Sequence, residues 1–145
     1  MTLLVSACLL GLPCRYDGAA KPAPQVLELM EEHRLIPVCP EQLGGLPTPR
    51  PPAECRDGRV INRAGRDVTA EYVRGAESAL ELARLFGCRG AILKERSPSC
   101  GCGYIYDGSF SGTLVPGDGV TARLLKEHGI PVTGESRIEA LFPKK

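Results

Sequence analysis

Apolar positions along the chain fall into short blocks separated by glycine- and proline-rich segments. Leu3-Leu4-Val5, Leu35-Ile36-Pro37-Val38, Gly90-Ala91-Ile92-Leu93 and Ile130-Pro131-Val132 are four such blocks. Each is too short for a helix and is bounded by turn residues, which predicts four short buried strands. Between them the period becomes helical. Val26, Leu29 and Met30 in PQVLELMEEHRL predict a helix, with Pro24 suited to its first turn and His33-Arg34 near its C-terminus. Tyr72, Val73, Ala76, Ala79, Leu80, Ala83 and Leu85-Phe86 form one apolar stripe of a longer helix, which starts near Asp67-Val68-Thr69 and stops at Gly87. VTARLLKEHG predicts another helix, opened by Asp118-Gly119 and closed by His128-Gly129, and SRIEALF a terminal helical turn.

Strands alternating with helices imply one α/β domain over residues 1–145, a small, mostly parallel sheet flanked by helices in a Rossmann-like arrangement. CLLGLPCRYDGAAKPAP and PEQLGGLPTPRPPAE read as loops, the second long enough to suggest a functional segment. Arg59-Val60-Ile61-Asn62 reads as a small strand or hairpin, and Tyr104 to Gly112 as a turn-rich surface insertion. There is no solenoid-period repeat, no P-loop, no G-x-G-x-x-G after a strand and no His-Cys-Cys deaminase signature.

Composition narrows the function classes. The chain is 43% hydrophobic and 24% charged with net charge +1, ordinary for a globular domain large enough to bury its own core. No Lys/Arg block is long enough for a nucleic-acid or membrane footprint, and Lys144-Lys145 reads as a solvated tail. No apolar run approaches the ~18 residues of a membrane span.

Seven cysteines do change the picture. LVSAC has the outline of a lipoprotein export signal, but no Lys or Arg precedes Cys8 and the apolar run is only Leu3-Leu4-Val5. The expected compartment is therefore the reducing cytoplasm, where cysteines serve as small buried hydrophobes or as thiolates that bind metal or do chemistry. Cys8 closely follows the first predicted strand, Cys39 directly follows the second, and Cys100 lies in the loop leaving the third. Ligands of an open parallel sheet bind outside the carboxyl ends of its strands, so three sequence-distant thiols are expected at one shared site.

Soft sulfur ligands select zinc, copper(I) or iron–sulfur clusters; four protein ligands would make a closed structural zinc site, and three leave a position open. Cys14 would be the fourth ligand of a closed site. Cys102 is awkwardly spaced from Cys100, and Cys55 and Cys88 read as replacements for small apolar residues. Among polar residues, Arg15-Tyr16-Asp17 would shape a pocket or form a tight turn. Arg50 is a substrate or charge partner or else a surface cation, Lys94 is placed to neutralise a negative group, and His33 and His128 read as helix-end residues.

SACLLGLPCRYDG, VCPEQLGGLPTPRPPAE, LKERSPSCG and GDGVTARLL together resemble the short-form thiouracil desulfidases, a bacterial family formerly known only as a domain of unknown function. The resemblance runs from Leu4 to about Glu135, with Cys55 and Cys102 as extra thiols. It implies a [4Fe-4S] cluster held by Cys8, Cys39 and Cys100, with one iron open to bind the sulfur of the substrate. It also implies Glu41 as the catalytic glutamate and a serine in SPSC, for which Ser97 is preferred over Ser99. The implied reaction is non-redox removal of sulfur from a small thiolated pyrimidine, thiouracil giving uracil and sulfide, with no membrane or nucleic-acid partner and with an unspecified sulfide acceptor. The competing readings are an iron–sulfur or sulfur-carrier protein without base-hydrolysing activity and a structural zinc protein using Cys14.

Overall fold

The computed structural model describes residues 1–142; the Lys144-Lys145 tail lies outside them. In chain order the elements are β1 (Thr2–Ser6), α1 (Pro24–Leu27), β2 (Arg34–Val38), α2 (Pro40–Leu43), β3 (Ala53–Arg56), β4 (Arg59–Asn62), α3 (Thr69–Leu85), β5 (Gly90–Leu93), β6 (Tyr104–Tyr106), β7 (Leu114–Pro116), α4 (Val120–Glu127) and β8 (Val132–Gly134), with 3-10 turns at Ala7–Leu10, Glu28–Glu31 and Glu135–Leu141.

Three of the predicted strands and β8, which lies at Val132–Gly134 and not at the expected Ile130-Pro131-Val132, form one sheet in the order β2-β1-β5-β8, with every neighbouring pair parallel. The two-residue period of the strands sorts their side chains between two cores. Leu4, Ala91 and Leu93 point to the side covered by α3 and α4, where they meet Ala79, Leu80, Ala83 and Leu125. Leu3, Val5 and Ile92 point to the other side, against Leu9, Val26 and the Ile138–Phe142 end of the chain. Burial on both faces explains why β1 and β5 are continuous apolar runs and not alternating ones. The chain leaves β1 for β2 on one side and returns past it to β5 on the other, so the order reverses at β1, and a crevice forms outside the carboxyl ends of the strands at such a reversal.

Several local expectations change. The first helix is only a turn at Pro24–Leu27 followed by a 3-10 turn, and Arg34 already belongs to β2. His33 instead packs its ring 4.9 Å from that of Phe142, while His128 does end α4, with Nδ1 2.9 Å from the Leu124 carbonyl oxygen. The proline-rich segment after Cys39 is not all loop: Pro40 starts the short helix α2, and β3 pairs with β4 in an antiparallel hairpin. A second hairpin, β6–β7, spans Tyr104–Pro116, so the expected insertion at Tyr104 to Gly112 is its first strand and part of its connecting loop.

Two glycines fix where α2 lies. Gly75 on α3 abuts the carbonyl of Pro40, and Gly44 at the end of α2 abuts the carbonyl of Glu71; a Cβ at either position would overlap backbone. The two helices therefore pack at backbone contact, and α2 carries that placement directly to Cys39 and Glu41.

Candidate active site

A cavity of about 700 Å³ opens at the carboxyl ends of β1, β2 and β5. Cys8, Cys39, Cys100, Glu41 and Ser97, the five residues singled out from the sequence, all line it. Each arrives by a different route. Cys8 sits on the 3-10 turn that ends β1, and Cys39 is the residue between β2 and α2. Cys100 follows a turn in which the Ser97 hydroxyl oxygen accepts hydrogen bonds from the backbone N–H groups of Ser99 (3.1 Å) and Cys100 (3.0 Å). Ser97 thus builds the turn and faces the cavity at once. Ser99 does not line the cavity; it is fully buried and pairs with the Thr121 hydroxyl at 2.7 Å.

Cys14 also lines the cavity, with Cys39 Sγ donating to its carbonyl oxygen at 3.7 Å. Cys55 and Cys102 point elsewhere, each with its thiol donating to a backbone carbonyl, of Pro98 and Val132 respectively, and Cys88 packs at the margin of the core. Among the described residues, no group of three or more His, Cys, Asp or Glu is disposed around a single metal ion. Cys8, Cys14, Cys39 and Cys100 share one cavity of about 700 Å³.

Three of the cavity thiols, Cys14, Cys39 and Cys100, are kept neutral. Cys39 is pushed far up by its hydrogen bond to Cys14, by burial and by the nearby Glu41. Burial, followed by Glu41, does the same to Cys100. For Cys14 the hydrogen bond with Cys39 acts downward, but the bond with Cys8, burial and the negative neighbours outweigh it and set the thiol at about 11. Such thiols give up their protons to a cationic centre that binds them, so binding and deprotonation go together. Four soft donors in a roomy pocket fit an iron–sulfur cluster, whose ligand sulfurs stand farther apart than those around one ion.

Glu41 is 12% exposed, and burial raises its carboxyl above the usual range, with the Arg50 guanidinium 3.9 Å away acting in the opposite direction. Arg50 is no surface cation, since its side chain is 5% exposed. It donates to the carbonyl oxygens of Cys14 (3.0 Å) and Pro47 (3.2 Å) and to the Thr48 hydroxyl (3.0 Å), so it ties the Cys14 loop to the segment after α2. Lys94 lines the cavity but is already paired with Glu135 at 3.1 Å. Arg15 and Tyr16 line the cavity, while Asp17 closes a turn by accepting from the backbone of Ala19.

Two contributors were not visible in the sequence. The β6–β7 hairpin, expected as a surface insertion, supplies Tyr106, Phe110 and Gly112 to the cavity wall. Glu54 holds it there by accepting from the backbone N–H groups of Gly108 and Phe110, both at 3.0 Å. Tyr72, counted above in the apolar stripe of α3, also lines the cavity and is 3% exposed. Its hydroxyl has no hydrogen-bond partner among the described residues, and burial together with Glu41 keeps it a neutral phenol.

Residues 3–137 match the family model described as 2-thiouracil desulfurase. A protein of Bacillus subtilis (strain 168), named only as uncharacterized protein YbbK, is 42% identical over 150 aligned positions, covering 97% of this chain and 99% of its own length. Among solved structures, that of a [4Fe-4S]-dependent thiouracil desulfidase, TudS (DUF523Vcz), superposes with a TM-score of 0.92 at 50% identity, covering 97% of this chain and 95% of the other.

Proposed function

The chain belongs to the 2-thiouracil desulfurase family, and from that premise we propose that it is a [4Fe-4S]-dependent thiouracil desulfidase whose cluster is held by Cys8, Cys39 and Cys100. The overall reaction replaces C=S by C=O, consuming one water and releasing sulfide without change of oxidation state. The observation that carries the reading is the placement of those three thiols and the Glu41 carboxylate around one cavity at the carboxyl ends of parallel strands.

When bound by three thiolates, the cluster supplies an open, thiophilic Lewis-acidic iron that draws electron density from the thiocarbonyl. The remaining work falls to the chain. Glu41 takes a proton from the water that attacks the thiocarbonyl carbon, the role expected of a carboxylate whose basicity is raised by burial. Arg50 limits that rise and, through its bonds to the Cys14 carbonyl and Thr48, keeps the carboxylate side of the cavity rigid. Ser97 presents a hydroxyl beside Cys100 for a hydrogen bond to the pyrimidine or for passing a proton to the departing sulfur. The volume accommodates a cluster and one small ring. A general base at the cavity favours a hydrolytic enzyme over a passive sulfur carrier, and the lack, among the described residues, of three donors disposed around one ion does not favour a closed zinc site.

The test is conversion of 2- and 4-thiouracil to uracil by anaerobically reconstituted protein, alongside Glu41→Gln. Wild type is expected to release sulfide and uracil in equal amounts. Glu41→Gln is expected to keep its iron and lose at least about 10²-fold in kcat, the span of a general base. Iron-loaded wild type that releases neither product overturns the reading.

A further inference from the structure

Tyr72 is a buried tyrosine at the site, 3% exposed, whose hydroxyl is left without a partner among the described residues. No side-chain nitrogen or oxygen among them is both sealed from solvent and unpartnered. The phenolic oxygen must therefore reach open space, and the space Tyr72 lines is the cavity. Tyr72 shares that cavity with Glu41, Arg50 and Cys100. A buried tyrosine hydroxyl normally has a hydrogen-bond partner, because an unmet donor costs its full desolvation once water is excluded. The missing acceptor has to come from what occupies the cavity.

On the functional reading above, the occupant is a thiolated pyrimidine. Its sulfur is the reacting atom, which leaves the ring carbonyl as its best remaining acceptor. We propose that the Tyr72 hydroxyl donates a hydrogen bond to the ring carbonyl of the substrate and so selects thioamide rings that carry a second, oxygen-bearing carbon. Tyr72 is then a specificity-determining residue that touches substrate. Its position is set by the same α3 face whose Gly75, one helical turn on, seats α2. The donor for the ring oxygen and the carboxylate for the water are thereby held by two helices in backbone contact.

Tyr72→Phe removes the hydroxyl and keeps the ring that packs with Val60 and Val68. The expected result is wild-type iron content and an unchanged melting temperature. Binding of uracil, read by calorimetry on the reconstituted protein, is expected to weaken about tenfold, as is kcat/KM for 2-thiouracil, chiefly through KM. Pyrimidine-2-thione lacks the ring oxygen, and for it, and for binding of pyrimidin-2-one, wild type and Tyr72→Phe are expected to be equal. Equal losses with and without the ring oxygen, or no loss with either, overturn the assignment. So does a variant that loses iron or melts early, since the hydroxyl would then serve the fold. Wild type that binds no uracil and converts no thiouracil overturns the functional reading itself, and that outcome is recognisable without the variant.

Discussion

Replacing Gly75 by alanine tests whether backbone contact between α3 and α2 sets the active site. An added Cβ would lie 2.7 Å from the carbonyl carbon of Pro40 and 3.3 Å from its Cα, and closer still to the carbonyl oxygen. Unstrained carbon contacts are about 3.5–4.0 Å, so α2 must retreat by roughly 1 Å. Cys39 and Glu41, the residues on either side of Pro40, move with it. A misplacement of about 1 Å costs on the order of 10²-fold in rate. The effect on stability is smaller. Alanine gains about 1 kcal/mol over glycine in a helix interior, against roughly 1–3 kcal/mol for overpacking. The net loss is therefore at most about 2 kcal/mol, or roughly 4–8 °C in melting temperature for a chain of this size. The assay combines thermal denaturation, iron bound per chain after anaerobic reconstitution, and thiouracil conversion. The expected Gly75→Ala protein is folded, loads less iron and is about 100-fold slower. A folded variant with wild-type iron and kcat/KM would refute the claim that this contact places Cys39 and Glu41.

Two other perturbations follow from single side chains. Arg50→Met removes the donors to Cys14, Pro47 and Thr48 and leaves Glu41 without its nearby cation; kcat is expected to fall at least tenfold with a stability loss of about 1–3 kcal/mol, and wild-type kcat in a folded variant would contradict the positioning role. Asp67, just before the Val68 N-cap of α3, accepts from the Thr69 backbone at 2.9 Å and pairs with Arg59 at 2.8 Å, and its bonds to Thr69 and then Arg59 hold its carboxyl below the usual range. A depressed folded pKa gives stability that is present above the unfolded value near ~3.9 and is lost as pH falls through the folded value. Asp67→Ala is accordingly expected to melt below wild type at pH 7 and to converge with it near pH ~2; a gap that stays constant across that range would show that Asp67 acts without its charge.

Much of this architecture was legible because apolar blocks and their terminators are local signals. Leu3-Leu4-Val5, Leu35 to Val38 and Gly90 to Leu93 all became strands of one parallel sheet, and Cys8 and Cys39 were recognisable from standing at the ends of two of them. Cys100 was placed by the same topological rule, although the turn that delivers it depends on the Ser97 hydroxyl. What stayed hidden depended on tertiary contact. Pro40 was read as loop because proline and glycine crowd that segment, yet proline suits the first turn of a helix and Gly44 is there for close packing on α3. Tyr72 fits the apolar period of α3 as well as any core residue, and only its unpartnered hydroxyl at the cavity distinguishes it. The place of the β6–β7 hairpin at the cavity rests on Glu54, more than fifty residues earlier in the chain, holding Gly108 and Phe110.

The most direct test of the central claim is iron bound per chain after anaerobic reconstitution, measured for wild type and for Cys8→Ser, Cys39→Ser, Cys100→Ser and Cys14→Ser. The account predicts close to four irons in wild type and in Cys14→Ser, as one [4Fe-4S] cluster per chain requires, and loss of the cluster in the other three. Cys14→Ser that loses its iron with the rest, or wild type that takes up a single zinc in preference to iron, would contradict a three-thiolate cluster with an open iron.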